Sequence, residues 1–407
     1  MEKFKNFLVV LLSITMCLLC FATLIVMSGS EVSLRSIFED EIEYDPVEKE
    51  KTVYKNMAVP YRISVVSGDT VYTEQGVSKT SQFFKDCEKL LLEAVGSMSE
   101  LEECTLSEYN EALGSKSLIF TLNGKLPLYL MQMWSGSTDG YENQTSTVAL
   151  VRESKGIKVY FKDDGDGKCY FSQTSSANAV IDELIASYAG NNGILSLGAV
   201  LSSDTLKAPV YEINGEAAGL DENKTEKLLR AFGLNPYFAK TYQESDGDKI
   251  YIEEDDVLSV SAEGSVTYRA SEGGIALMED GLASEHESAA LAANKLAEIS
   301  ALLYADNPDI SADVVSVRKE GDEIHIGGII KLGGIPLSED VCSAGIIVRG
   351  GMIIRMWLDM PNIFAGEIRT LMSDTMAKAV SSKKECRFEI IYVMENGKLV
   401  PVNSFVE

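Results

Sequence analysis

The chain has 407 residues, of which 45 % are apolar and 24 % are charged, so it can bury more than one hydrophobic core and is not a disordered tail. Its 62 Asp and Glu residues outnumber its 36 Lys and Arg residues, which gives a formal net charge of −26. A surface of this sign repels phosphate backbones and anionic lipid headgroups, which argues against nucleic-acid binding.

The first element along the chain is an uncharged segment at residues 7–27. Its length is close to the ~20 residues that a helix needs to cross a bilayer. Lys3 and Lys5 precede it and acidic residues follow it, so the positive-inside rule places residues 1–6 in the cytoplasm and the remaining chain outside. A cleaved signal peptide is the rival interpretation, but its apolar core usually spans only about 7–15 residues. The sequence therefore predicts an uncleaved, single-pass transmembrane anchor in the cell membrane.

One face of the predicted anchor collects small and weakly polar side chains, namely Ser13, Cys17, Cys20 and Thr23. Side chains of this kind let a second helix approach closely in lipid. We therefore predict that this face is the partner-binding site. The alternative is that a spanning helix simply tolerates these residue types.

An acidic stalk is predicted at residues 28–52, followed by an N-terminal lobe at residues 53–218 and a C-terminal lobe at residues 219–407. In the N-terminal lobe, patterning predicts helices at 81–95 and 175–188. The strands predicted there are 61–66, 117–122, 127–134, 147–152, 157–161 and 168–173.

In the C-terminal lobe, helices are predicted at 224–235 and 285–304, and Ser284 with Glu287 forms a capping box before the second helix. The buried stripe predicted on that helix is Ala292, Leu296, Ile299 and Leu303. The strands predicted in this lobe are 238–244, 248–254, 257–262, 265–271, 313–319, 323–332, 344–357, 387–393 and 398–402. The order helix, meander, helix, meander predicts an α+β protein, in which an N-terminal transmembrane helix precedes two or three lobes of antiparallel sheet packed with helices.

Candidate catalytic and metal-binding patterns do not fit their chemistry. We predict that His286 and His325 lie at the surface, with no nucleophile elbow in the sequence to pair with them. Two S-x-x-K matches, at 316–319 and 381–384, lack the further motifs of penicillin-recognising enzymes. The acidic loop 163–167 fails the EF-hand spacing and is predicted to be a hairpin turn. We therefore expect no enzyme activity, no catalytic residues, no metal ligands and no cofactor.

Five cysteines lie beyond the anchor: Cys87, Cys104, Cys169, Cys342 and Cys386. Their odd number and wide, irregular spacing do not match a disulfide framework or a zinc site. Buried free thiols are therefore expected, and a bond between Cys87 and Cys104 is left open by the sequence.

The segment 228–273 contains a helix ending in Phe-Gly, an S-D-G turn, a tyrosine in the next strand and a G-x-V-x-Y strand. In this pattern it resembles the YycH/YycI family of Gram-positive bacteria, as do GGIPL at 333–337 and residues 390–402. The N-terminal lobe, through residues 59–69 and 106–134, is more similar to YycH than to the shorter YycI. One departure is Asn403, where family members often carry a large residue.

The resemblance implies a function that the residues alone do not. Members of this family are single-pass membrane proteins that associate with each other and with the WalK (YycG) sensor histidine kinase. Through that two-component system they affect cell-wall metabolism. The expected partners are therefore a WalK-like kinase and a YycI-like paralogue, bound by a regulatory protein with no catalytic residues to carry over.

Two other functions remain open from the sequence. An extracytoplasmic module that binds a lipid or a wall fragment would need a sizeable apolar pocket in the sheet. A wall hydrolase would need a convergent cluster of acid, base or metal ligands.

Overall fold

The computed structural model describes residues 58–406, except for 69, 138–139, 190–194, 197–198, 201–204, 214–219, 246, 263, 272, 279–282, 306, 308, 339, 360–362 and 373–386. All described residues belong to one compact unit, Val53–Glu407. The predicted cytoplasmic stub, transmembrane helix and stalk lie outside the described residues, and the boundary between two lobes near residue 218 stays a prediction.

The described residues form six helices and three sheets. The helices are α1 (Gln82–Gly96), α2 (Leu106–Leu113), α3 (Leu128–Trp134), α4 (Asn178–Ala189), α5 (Glu222–Ala231) and α6 (Glu285–Leu303). The strands of the first sheet are β1 (Arg62–Ser67), β2 (Thr70–Gln75), β3 (Glu102–Cys104), β4 (Ser117–Pro127), β5 (Gln144–Glu153), β6 (Gly156–Lys162), β7 (Cys169–Gln173), β8 (Leu195–Ser196) and β9 (Ala199–Val200). Their spatial order is β9-β8-β2-β1-β4-β5-β6-β7-β3, with all pairs antiparallel except β2–β8.

The second sheet lies in the C-terminal half, residues 220–406. Its strands are β11 (Lys240–Gln243), β12 (Lys249–Glu253), β13 (Asp256–Val260), β14 (Val266–Ala270), β15 (Ile275–Ala276), β16 (Ile310–Glu320), β17 (Glu323–Leu332), β18 (Ile335–Pro336), β19 (Ala344–Arg349) and β20 (Met352–Leu358). Their order is β11-β12-β13-β14-β20-β19-β17-β16, with β15 on β20 and β18 on β17. The segment predicted as one strand at 344–357 is thus a hairpin of two strands.

The third sheet has the order β21-β10-β23-β22. Its strands are β10 (Thr205–Ile213), β21 (Ile363–Met372), β22 (Arg387–Glu395) and β23 (Lys398–Val406). β10 precedes the predicted lobe boundary, and its partners in this sheet follow it. Together the three sheets and six helices confirm the predicted α+β class with mainly antiparallel strands for the described residues.

Helices cover both faces of the first sheet. α1 begins where the Ser81 side chain accepts a hydrogen bond from the Phe84 amide, and its predicted apolar face is buried. α4 packs on the same side, against β1. α2, which the sequence analysis did not identify as a helix, packs on the opposite face through Tyr109. Thr105 and Glu108 form a capping box at its start.

The strand predicted at residues 127–134 is wrong, because Leu128–Trp134 form helix α3. All seven of its residues are buried, and it packs against both α1 and α6. A helix covered on all sides is apolar on all sides, so its sequence shows neither a strand-like nor a helix-like period. The neighbours that decide its conformation come from distant parts of the chain.

The structure confirms in detail what the sequence predicts for α6. The capping box of Ser284 and Glu287 is present, and the helix buries the predicted stripe of Ala292, Leu296, Ile299 and Leu303. α6 packs on β16, β17 and β19 of the second sheet and also touches α3 from the N-terminal half, residues 58–213. It therefore lies between the two halves.

The halves approach each other closely at two glycines. A Cβ on Gly334 would lie 2.1 Å from the carbonyl oxygen of Gly76, and a Cβ on Gly124 would lie 2.1 Å from that of Val315. β4 and β16 also meet there in one parallel bridge, between Lys125 and Ser316. Only a residue without a side chain fits at either glycine.

A buried ion pair of the C-terminal half lies at the same contact. Lys331 is 1 % exposed; its Nζ donates to the carbonyl oxygen of Val59 at 2.7 Å and lies 2.8 Å from Asp313 Oδ2, poorly aligned for a hydrogen bond. Lys79 Nζ lies 3.6 Å from the other oxygen of Asp313. Burial alone would raise the pKa of Asp313, but the charges of Lys331 and Lys79 outweigh it and hold this pKa below its usual range.

Removing one member of this pair should be costly, because the other charge would stay buried and unpaired. We expect Lys331→Ala to lower the free energy of unfolding by about 3–5 kcal/mol, measured by urea denaturation. Lys319→Ala is the control: its exposed pair with Glu285 should contribute little. Equal losses of stability in the two variants would mean that the buried pair contributes no more than the exposed one.

The approach of Gly334 to Gly76 gives a second prediction. Gly334 has φ +84° and Gly397 has φ +75°, but a Cβ on Gly397 would meet nothing within 4 Å. Gly397→Ala should cost about 1–2 kcal/mol for its backbone conformation alone. Gly334→Ala should cost clearly more in the same denaturant titration, because a steric clash adds to the same backbone strain. Equal costs would contradict the close approach.

Candidate interaction surface

The predicted partner-binding residues Ser13, Cys17, Cys20 and Thr23 lie outside the described residues, so their face of the anchor stays a prediction. Among the helices that the structure does describe, none is both long and apolar enough to cross a membrane.

Both histidines are engaged by carboxylates. The His286 ring stacks on Tyr129, with centroids 3.9 Å apart, and its Nε2 lies 2.6 Å from Glu142 Oε1. This residue was predicted at the surface, but it is half-buried, since the start of α6 packs on α3. His325 Nε2 lies 3.0 Å from Glu323 Oε2, and its side chain is also only partly exposed. In both cases the imidazole ring is held in place by its contact with a carboxylate.

The S-x-x-K match at 316–319 and the acidic turn 163–167 have structural roles in the part of the chain that the structure describes. Ser316 lies in β16 opposite Gly327, as predicted for a strand, and residues 381–384 lie outside the described residues. In the acidic turn, Asp163 accepts hydrogen bonds from Asn143 and from the Gly165 amide, which confirms the hairpin-turn interpretation. Within the described ranges, no group of three His, Cys, Asp or Glu side chains is placed to hold a metal ion.

A cleft of about 450 Å³ opens where α3 and β5 approach α6, β16 and β17. Its wall carries Glu142, Glu285, His286 and Lys319. Lipid-binding pockets are lined mainly by apolar side chains. This cleft is charged, and it lies between elements of the two halves rather than inside a sheet, so it does not provide the apolar pocket that the lipid-binding hypothesis requires.

The feature with the strongest binding character is an aromatic edge, defined here as Tyr237, Phe238 and Tyr242. These side chains are 79 %, 76 % and 53 % exposed, and they are three of the eight large apolar side chains that are exposed among the described residues. Tyr242 lies on β11, the end strand of the second sheet, which pairs only with β12 in the part of the chain described. Exposed aromatic side chains are enriched in protein interfaces.

Hydrogen bonds hold the turn before β11, which carries Tyr237 and Phe238. After α5 ends, the Asn235 amide donates to Glu253 Oε2 at 2.5 Å, and the Tyr237 amide donates to Asn235 Oδ1 at 3.0 Å. Phe232 lies beneath, stacked on Tyr268 with centroids 5.3 Å apart. Because the backbone is fixed by these contacts, a partner would lose little conformational freedom on binding here.

These three residues were not predicted from the sequence to form a site. Phe238 was predicted to begin a strand, whereas β11 begins at Lys240 and all four of its residues are exposed. The signal available in the sequence was the pair of adjacent aromatic residues that follows Pro236. Whether they were covered depended on the rest of the fold.

Comparisons with known proteins give one match. No family model matches the sequence, and no curated protein matches it. Among solved structures, the chain is similar to the crystal structure of YycH from Bacillus subtilis, with 11 % sequence identity and a TM-score of 0.49, covering 84 % of this chain and 95 % of that one. YycH is the branch of the family that the sequence motifs resembled. At this distance the likeness assigns neither a partner nor a mechanism to this chain.

The aromatic edge should be dispensable for folding. We expect the double variant Tyr237→Ser, Phe238→Ser to keep its melting temperature within about 1–2 °C, because both side chains are already in water. Phe232→Ser, five residues earlier and 1 % exposed, should lower it strongly. Thermal unfolding followed by circular dichroism measures both, and a large loss in the double variant would mean that these aromatics pack within the chain.

Proposed function

We propose that the chain is a membrane-anchored extracytoplasmic regulatory protein that binds and modulates the WalK (YycG) sensor histidine kinase of a two-component system controlling cell-wall metabolism. The observation that carries this proposal is the aromatic edge. It belongs to the segment 228–273, whose motifs resemble the YycH/YycI family, and it offers a braced, exposed docking surface instead of an enclosed site.

The uncharged segment 7–27 supports the same function. As an anchor it would keep the folded unit at the membrane, where a kinase with its own membrane helices is at high effective concentration. Two contacts would then act together: Ser13, Cys17, Cys20 and Thr23 against kinase helices, and the aromatic edge against the extracytoplasmic domain of the kinase or a YycI-like paralogue.

Regulation would follow from a difference in affinity. A bound protein shifts a kinase between two states only by as much as it binds one state better than the other. A preference of about 1.4 kcal/mol changes the ratio of the two states tenfold. No catalytic step by this chain is required.

Co-purification from membranes tests the proposal. The full-length chain should be recovered with a tagged WalK-like kinase from the same bacterium after mild detergent extraction. Replacing Tyr237, Phe238 and Tyr242 together by Ser should reduce the recovered amount at least about tenfold, since a central aromatic contact typically contributes 2 kcal/mol or more.

Two further variants make the result specific. Phe364→Ser with Ile368→Ser removes exposed apolar side chains from β21 and should leave recovery unchanged. Changing Ser13, Cys17, Cys20 and Thr23 to Leu should weaken recovery if the anchor face contacts the kinase. Failure of the unaltered chain to recover the kinase would reject the proposed function, whereas unchanged recovery of either binding variant would reject only that contact.

A further inference from the structure

Two cysteines face each other at the edge of the first sheet. Cys104, the last residue of β3, stands directly opposite Cys169, the first residue of β7. Side chains of directly opposed residues in an antiparallel pair point to the same face, with Cβ atoms about 4.5–5.5 Å apart. Opposed Cα atoms are about 4.5–5.5 Å apart, within the range that a disulfide spans.

Their surroundings hold the two thiols together. Both cysteines pack into the small apolar cluster beneath α2, beside Tyr109 and Phe171. Lys168 Nζ, just before β7, lies 2.7 Å from Glu103 Oε2 of β3, but both side chains are about half exposed, so this ion pair contributes little. The backbone pairing of β3 with β7 therefore sets the register that keeps the thiols opposed.

We infer that Cys104 and Cys169 are an oxidation site of this protein and form an intramolecular cross-strand disulfide. The oxidant is a small-molecule disulfide or a thiol–disulfide oxidoreductase. The inference goes beyond the proposed regulatory function and does not depend on it, because it rests on the strand register alone.

The exchange proceeds in two balanced steps. Cys169 is 4 % exposed, whereas Cys104 is half-buried and is the thiol that an oxidant reaches first. The Cys104 thiolate attacks one sulfur of the oxidant, forms a mixed disulfide and releases one thiolate. The Cys169 thiolate then attacks the Cys104 sulfur and releases the second, so that the two cysteine protons end on the two released thiols.

Burial and nearby negative charges make this reaction slow at neutral pH, because they keep the thiols protonated. Burial, with smaller contributions from Cys169 and the nearby Glu108 and Glu103, raises the pKa of Cys104 to about 11. Burial also raises the pKa of Cys169. Because only the thiolate attacks, the rate of oxidation should rise about tenfold per pH unit between pH 7 and pH 9.

The bond would strengthen a weak edge of the fold. β3 has three residues and pairs only with β7 among the described strands, and α2 follows it directly. A disulfide here closes a long loop that contains α2, α3 and β4 to β6, which restricts the unfolded chain. For a unit of this size we expect the melting temperature to rise by about 5 °C on oxidation.

Peptide mapping of the purified full-length chain in detergent tests the pairing. The chain is incubated with glutathione disulfide at pH 8.5, quenched with acid, alkylated and digested with trypsin without reduction. Cleavage after lysine places Cys104 in peptide 90–116 and Cys169 in peptide 169–207. We expect one linked species of these two peptides, lost on reduction, and a melting temperature that falls by about 5 °C when reductant is added.

Matched variants separate this pair from the other thiols. Cys104→Ser and Cys169→Ser should each abolish both the linked peptide and the effect of reductant on melting. Cys342→Ala should keep both, since Cys342 lies in the main core. A link from Cys104 to Cys87, a link between chains, or free Cys104 and Cys169 after oxidation at pH 8.5 would each overturn the inference.

Discussion

The buried ion pair of Lys331 with Asp313 lies where the two halves meet, and it constrains how they pack together. A charged amine that is 1 % exposed is tolerated only where a carboxylate and a carbonyl oxygen receive it, and here the carbonyl belongs to Val59, far away in the sequence. The other carboxylate oxygen of Asp313 lies 3.6 Å from Nζ of Lys79, which belongs to the N-terminal half. The buried amine of Lys331 is satisfied only when the halves are docked.

Close packing follows from that docking. Gly76 and Gly334 let two backbones touch, and the Ile390 amide donates to the Tyr61 hydroxyl at 2.6 Å, which ties the third sheet to the start of the first. Within the third sheet, Tyr392 donates to the carbonyl oxygen of Pro209. The contact between Ile390 and Tyr61 is directional, so it favours one relative placement of the first and third sheets, whereas apolar burial alone would permit several.

The proposed binding surface lies at the opposite end of the second sheet from β16, the strand that carries Asp313. The aromatic edge sits on the end strand of the second sheet, where backbone groups and three large rings face solvent. Lys240 on the same strand is the kind of residue that discourages uncontrolled strand pairing. The combination of exposed aromatics with a charged edge is therefore suited to a specific side-chain contact, and the braced turn before it supplies the rigidity such a contact needs.

Much of the fold was determined by local sequence. α1, α6 and many of the strands followed from patterning and caps, because an amphipathic element that covers one side of a core carries that asymmetry in its own residues. Two predicted strands were wrong, since 127–134 is a helix and 344–357 is a hairpin. The uncharged segment 7–27, the acidic composition and the resemblance to the YycH/YycI family are likewise properties of the sequence alone. Tertiary structure decided the rest. Leu128–Trp134 became a helix because α1 and α6 surround it, Cys104 met Cys169 because β3 pairs with β7, and the rings at 237, 238 and 242 stayed exposed because the chain places no covering strand beside β11 among the described residues. Each of these outcomes depends on partners distant in sequence, which no local period can encode.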